Sequence, residues 1–212
     1  MLSGACLIGQ SGGPTAVINS SLAGAVITAL KNPNITNVYG ALHGIQGVLD
    51  ETFIDFSLED MNELELLKYT PSSALGSVRF FLDDFEKNSK VYEDILNVFK
   101  KYNIRYFFYI GGNDSMDSCM KINKYFKSVG YDCIVNGIPK TIDNDLCFTD
   151  HTPGYGSACK YIATTISEIY LDISAYKKGR VTIVEIMGRD AGWLTASSKI
   201  ASINGCNPDL IY

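Results

Sequence analysis

The chain has 212 residues, with 18 Lys plus Arg against 23 Asp plus Glu, a net charge of −5 and a hydrophobic content of 46%. That balance excludes a disordered segment and argues against general affinity for nucleic acid or an anionic membrane, since both need a basic surface. The length suits one ordinary domain or one large lobe of a bigger protein. With no charged-then-apolar leader pattern and no apolar run of bilayer length, a cytoplasmic, reducing location is the expectation. The six cysteines (Cys6, Cys119, Cys133, Cys147, Cys159, Cys206) are scattered without a CxxC pair. Four of them sit in or beside apolar strands or helices, so buried free thiols are expected.

Short apolar strands alternate with helical patterns along the chain. Residues 2–8 read as a strand and 15–30 as a helix rich in Ala, Val and Leu. A second strand is expected over 37–41, after an Asn/Pro turn. Residues 57–67 have helical spacing and an acidic start, which favours a helix N-terminus. An amphipathic helix over 91–102 leads into a strand over 105–110 and a helix over 116–129. A strand at 133–137, a long helix at 158–175, a strand at 180–186 and a helix at 193–202 complete the pattern, and 207–212 looks like one more strand beginning. Such alternation with near-continuous apolar strands predicts an α/β fold: a doubly wound, mostly parallel sheet with helices on both faces. No internal repeat or interdomain linker stands out.

Ligands in such sheets sit at the carboxyl ends of the strands, and every loop that could do chemistry lies there. Gly137-Ile-Pro-Lys-Thr-Ile-Asp-Asn-Asp145 follows a strand and carries one cation, one hydroxyl and two carboxylates within six positions. A carboxylate base beside a lysine suits deprotonation of an alcohol while a transferring phosphoryl group is steadied. Asp143 and Asp145 flank Asn144 and reach a common pocket only if the backbone bends; an Asx-turn is the structural alternative. Gly111-Gly-Asn-Asp-Ser115 offers bare backbone beside a carboxylate. Asp114 or Ser115 could serve as a helix cap. Capping does not account for two glycines, Asn113 and Asp114 together, and Mg²⁺ needs only one or two protein oxygens from such a loop.

Gly9-Gln-Ser-Gly-Gly-Pro14 joins a strand to a helix, where glycines admit phosphate or simply permit a tight turn. It lacks the GK[ST] of a P-loop. Arg189, in Met187-Gly-Arg-Asp190, suits bidentate phosphate binding; Arg180 stands at the other end of the same predicted strand, and Arg79 lies in another loop. His43 and His151 lack metal-ligand spacing and read as structural or surface groups.

Together these segments resemble the phosphofructokinase family across essentially the whole chain. The match rests on Gly12-Gly13, Arg79, Gly111-Gly-Asn-Asp-Ser115, Pro139-Lys-Thr-Ile-Asp-Asn-Asp145, Thr152-Pro-Gly-Tyr-Gly-Ser157 and Glu185-Ile-Met-Gly-Arg189. The resemblance implies that Asp143 is the base for the sugar 1-hydroxyl, with Lys140, Asp114 and Arg189 in the catalytic set. It implies a donor site of Gly12, Gly13, Arg79, Gly112, Asp114 and Lys140. Thr141, Ile142, Asp143, Asp145, Met187, Gly188 and Arg189 would hold fructose 6-phosphate, and Arg180 would reach a neighbour's site in a homo-oligomer. Mg²⁺ would be the cofactor, with Asn113 where the family usually has a metal-binding Asp.

Asp114 and Lys140 replace glycines of ATP-dependent members, and Ile45 replaces a tyrosine. This pairing resembles the diphosphate-dependent branch: a carboxylate repels a nucleotide's α-phosphate, and a lysine neutralises diphosphate. Diphosphate is therefore the expected donor. An ATP-dependent enzyme, or a non-catalytic lobe of the family, is the alternative. Family members are about twice a typical domain in length, so residues 1–212 are expected to be the N-terminal lobe of a longer protein and to turn over little alone.

Overall fold

In the computed structural model, which describes residues 2–212, Gly4–Gln10 (β1) is buried along its whole length. Successive side chains of a strand face opposite sides, so an entirely buried strand requires both faces to be covered. Ala5 and Leu7 enter one apolar cluster and Cys6 and Ile8 the other. Ile35–Ala41 (β2) pairs parallel to one edge of β1 and Ile104–Gly111 (β4) to the other, while Phe53–Asp55 (β3) lies antiparallel beyond β2 and Ile134–Pro139 (β5) parallel beyond β4. The sheet order is β3-β2-β1-β4-β5. The expected mostly parallel, doubly wound α/β architecture is present.

Ile18–Leu30 (α1) covers one face with Ile18, Leu22, Ala23 and Val26, joined by Leu64 of Met61–Leu66 (α3). Gly44–Leu49 (α2), Ser89–Lys101 (α4) and Asn113–Ser128 (α5) cover the other, where Phe99, Phe107 and Phe126 meet edge-on and Tyr131 closes the cluster. Edge-to-face rings add to the area they bury. The chain divides into two compact units, Met1–Lys140 and Thr141–Tyr212, a division that falls inside the 137–145 motif where no linker composition marked it. The first unit holds the whole sheet. The second consists of Tyr155–Ser174 (α6), packed on Trp193–Ser197 (α7) and the 3₁₀ turn Ser198–Asn204, together with its loops.

Several expected boundaries move. The 57–67 helix is broken into a 3₁₀ turn at Phe56–Leu58 and α3, because Asp55 and Asp60 each accept a backbone N–H two residues on (3.0 and 2.7 Å) and so start separate turns. Helix α5 begins at Asn113, three residues before its apolar pattern, and α1 begins at Ile18. Over 180–186 and 207–212 there is no strand among the described residues. An extended segment gains ladder hydrogen bonds only beside a partner strand, and the second unit supplies none. Val181 and Ile183 are each 92% exposed in consequence.

Candidate active site

The first unit brings three backbone segments together at the carboxyl ends of β1, β4 and β5. After β1 the chain turns at Ser11, whose N–H donates to Ile110 O (2.9 Å), and at Gly12, whose N–H donates to Val78 O (3.1 Å). Gly12 has φ +75°, a conformation that a Cβ makes costly, and a Cβ there would lie 3.1 Å from Lys140 Nζ. Gly111, the last residue of β4, and Gly112 lead directly into α5. A side chain on Gly111 would lie 2.0 Å from Ser115 Oγ, so glycine is required there by contact. Ser115 Oγ donates to Ser11 Oγ (3.0 Å), linking the β1 and β4 loops beneath the surface.

After β5, Lys140 N–H donates to Gly111 O (2.9 Å), and its ammonium donates to Gly13 O (2.7 Å). Lys140 is only 3% exposed. A buried ammonium is costly unless its donors are used; here the cation is laid across the glycine turn of β1. Asn113 and Asp114 are the first two residues of α5, at the end where a helix dipole favours anions. Gly112 is the N-cap and no side chain caps this helix, so neither Asp114 nor Ser115 serves in that way. Arg79 is exposed and follows directly on Val78, which accepts from Gly12 N–H and from Ser11 Oγ (3.3 Å). Gly12, Gly13, Gly112, Lys140 and the Arg79 segment are thus one assembly. Ile45 is not part of its surface: it is 1% exposed and belongs to the core.

The second unit begins with Thr141, whose hydroxyl donates to Asp143 Oδ2 (3.2 Å) and accepts from Asp143 N–H (3.1 Å). Asn144 adopts φ +55° and supplies the bend between Asp143 and Asp145. Its side chain is buried, donating to Asp150 O (3.2 Å) and accepting from Thr152 N–H (2.9 Å), while Thr152 Oγ donates to Thr141 O (2.9 Å). The loop is therefore fixed from within, with the Asp143 and Asp145 side chains half-buried. A groove of about 260 Å³ runs beside it between α6 and residues 184–187, with Ile142 and Met187 on its walls.

Gly188 and Arg189 form a turn closed by Ala191 N–H to Gly188 O (2.9 Å), with Arg189 at φ +55° and exposed. The guanidinium of Arg180 lies 3.6 Å from the Tyr176 ring centroid, a cation–π seat at the end of the same segment. Both His43 and His151 are exposed; His43 N–H donates to Leu75 O (2.8 Å) and its ring lies against Gly76, a structural contact of the segment that leads to Arg79.

Residues 5–212 match the phosphofructokinase family model. The chain belongs to the phosphofructokinase family. It is 44% identical over 214 residues to a pyrophosphate–fructose 6-phosphate 1-phosphotransferase of Rhodospirillum rubrum, covering 100% of this chain and 51% of that protein. The crystal structure of a pyrophosphate-dependent phosphofructokinase from Nitrosospira multiformis matches with a TM-score of 0.87 and 42% identity, over 93% of this chain and 49% of that one. An ATP-dependent 6-phosphofructokinase of Buchnera aphidicola is more distant, at 36% identity over 95% of this chain and 59% of its own length. The chain spans about half the length of the curated relatives it matches.

In this chain Asn113 and Asp114 place hard oxygen donors side by side at a helix start. That suits Mg²⁺, which takes one or two protein oxygens and completes its shell with water and phosphate. No cluster of three or more His, Cys, Asp and Glu is placed to cage a metal among the described residues. No helix among them is long and apolar enough to cross a membrane. Behind the glycine turn lie two buried amides, Gln10 and Asn19, that no motif marks; a polar residue ending an otherwise apolar strand is the one sequence signal for the first.

Proposed function

We propose that the full-length protein is a diphosphate-dependent phosphofructokinase, a homo-oligomer of the cytoplasm, and that this chain is its N-terminal lobe. It transfers one phosphoryl group from diphosphate to the 1-hydroxyl of fructose 6-phosphate, with Mg²⁺ as cofactor. Relatives at 43–44% identity are named for that reaction. The observation that carries the donor assignment is Lys140, a buried cation held on the carbonyl of Gly13 within the glycine turn.

Asp143 accepts the proton of the 1-hydroxyl as the new O–P bond forms and the bridging O–P bond of diphosphate breaks, releasing phosphate. Thr141 holds Asp143 through Oδ2, leaving Oδ1 to take the proton. Lys140 and Arg79 offset donor charge, and Gly12, Gly13 and Gly112 let backbone approach it. The carboxylate of Asp114 disfavours the α-phosphate of a nucleotide. Ile142, Asp145, Met187, Gly188 and Arg189 bind the sugar phosphate, and Arg180 serves a neighbouring subunit's site. Asn113 would hold Mg²⁺, which when bound neutralises phosphate charge.

The test is Asp143→Asn in the full-length enzyme, a change that keeps size and the acceptor for Thr141. Loss of a general base should lower kcat by roughly 10²–10⁴-fold with KM little altered. Turnover at the parent rate would remove Asp143 from the mechanism.

A further inference from the structure

We propose that Gln10 and Asn19 form a positioning clamp for the Arg79 segment and thereby set affinity for the phosphoryl donor. The inference rests on the reading that Arg79 and the glycine turn bind that donor. Residues 70–88 contain neither helix nor strand, so no ladder fixes their place. Two amides do so instead, helped by one backbone bond from His43 N–H to Leu75 O (2.8 Å). Gln10, at the end of β1 and 0% exposed, donates from Nε2 to Ile18 O (3.2 Å) and Asn19 Oδ1 (2.9 Å). Its Oε1 accepts from Leu75 N–H (2.9 Å) and shares the one hydroxyl proton of Ser73 (2.8 Å) with Gly76 O (2.6 Å). Both donors and both lone pairs are used.

Asn19, 1% exposed in the first turn of α1, donates to Thr70 O (2.9 Å) and accepts from Ala74 N–H (2.9 Å). Residues 70, 73, 74 and 75 are therefore all held by this pair. The segment then crosses to the glycine turn, where Ser77 Oγ donates to Gly12 O and Val78 O accepts from Gly12 N–H. Arg79 comes next. Apolar side chains could fill the same buried volume without the cost of desolvating two amides. What they could not do is fix the register of a segment that has no ladder, and that is the role the hydrogen bonds define.

The experiment uses the full-length enzyme with Asn19→Asp, which replaces the donor facing Thr70 O by an oxygen, and the milder Ser73→Ala. Hydrogen exchange at Ala74 and Leu75, the melting temperature, and KM for diphosphate and for fructose 6-phosphate are measured. Loss of hydrogen bonds at a positioning site should raise KM for diphosphate about tenfold for Asn19→Asp and about threefold for Ser73→Ala, with KM for the sugar within about twofold. In an Arg79→Ala background the Asn19→Asp effect should vanish, because the two act in series.

Faster exchange at Ala74 and Leu75 accompanies that result. A lowered melting temperature with both KM values unchanged would overturn the clamp, as would full additivity with Arg79→Ala. Should the enzyme accept ATP alone, the donor reading fails and KM for ATP takes the place of KM for diphosphate. Unchanged exchange at Ala74 and Leu75 overturns the clamp whatever the donor.

Discussion

Lys140 and Gly13 stand 127 residues apart in sequence, yet the ammonium of one lies 2.7 Å from the carbonyl oxygen of the other. The bond ties the loop after β5 to the loop after β1 across β4, and it keeps a cation in place beside the glycine turn.

Gly12 is the neighbour most constrained by that bond. Gly12→Ala places a methyl 3.1 Å from Lys140 Nζ at φ +75°, a left-handed conformation that costs an L-residue about 1–2 kcal/mol. We expect a stability loss of that size in urea unfolding, together with a raised donor KM in the full-length enzyme. Gly13→Ala meets nothing within 4 Å and should leave stability within about 0.5 kcal/mol, as substitutions away from packed features do. Equal effects on stability from both would contradict this account of the turn.

The Asp143 loop depends on Asn144. Replacing Asn144 by Ala removes the hydrogen bonds to Asp150 and Thr152 and leaves a residue without a polar side chain at φ +55°. The expected cost is about 2–4 kcal/mol, from unsatisfied buried groups and backbone strain together. Asn144→Gly relieves the strain alone and should fall between Ala and the parent. Thermal melts of the three proteins give the order directly; Gly as unstable as Ala would mean that strain contributes nothing.

The fold was legible because its strands are near-continuous apolar runs and its helices follow them in alternation; β1, β4 and α4 came within a few residues of their places. Edge strand β3 and helix α2 escaped because three and six residues carry too little periodicity to register. The 180–186 run was misread for the opposite reason: Val181, Ile183 and Ile186 have strand composition, but composition does not create the partner on which a strand depends. Among candidate site residues, the sequence motifs singled out Lys140, Asp143 and the glycine pairs. The left-handed bend at Asn144 could be posed only as a condition, since an Asn between two Asp residues fits several turns. The Gln10–Asn19 pair was hidden because its partners lie more than fifty residues away.

Alkaline pH should unfold the protein. Burial pushes the thiols of Cys6, Cys119 and Cys133 from 9.0 up to about 12, and the phenols of Tyr92 and Tyr131 from 10.0 up to about 12. These acids are kept neutral by the fold, so their contribution is complete below their unfolded values and is lost as pH rises from about 9 through about 12. Tyr131 illustrates why: its hydroxyl donates to Phe99 O and Ile104 O, which a phenolate cannot do. Urea midpoints should hold up to about pH 9 and fall from there towards pH 12, and Cys147, which is exposed, should be labelled by a thiol reagent before the buried cysteines. A midpoint unchanged over that range would show that these groups titrate alike in both states.

The most direct measurement is the donor preference of the full-length enzyme and of its Asp114→Gly/Lys140→Gly double variant. Initial rates with fructose 6-phosphate and Mg²⁺ are compared for diphosphate and for ATP. The account predicts turnover with diphosphate and little with ATP in the parent. In the double variant the diphosphate rate should fall by roughly two orders of magnitude or more, the scale of removing a charged group that steadies a transferring phosphoryl. A parent enzyme that prefers ATP, with a double variant that matches it, would contradict the assignment of Asp114 and Lys140 as the residues that select diphosphate.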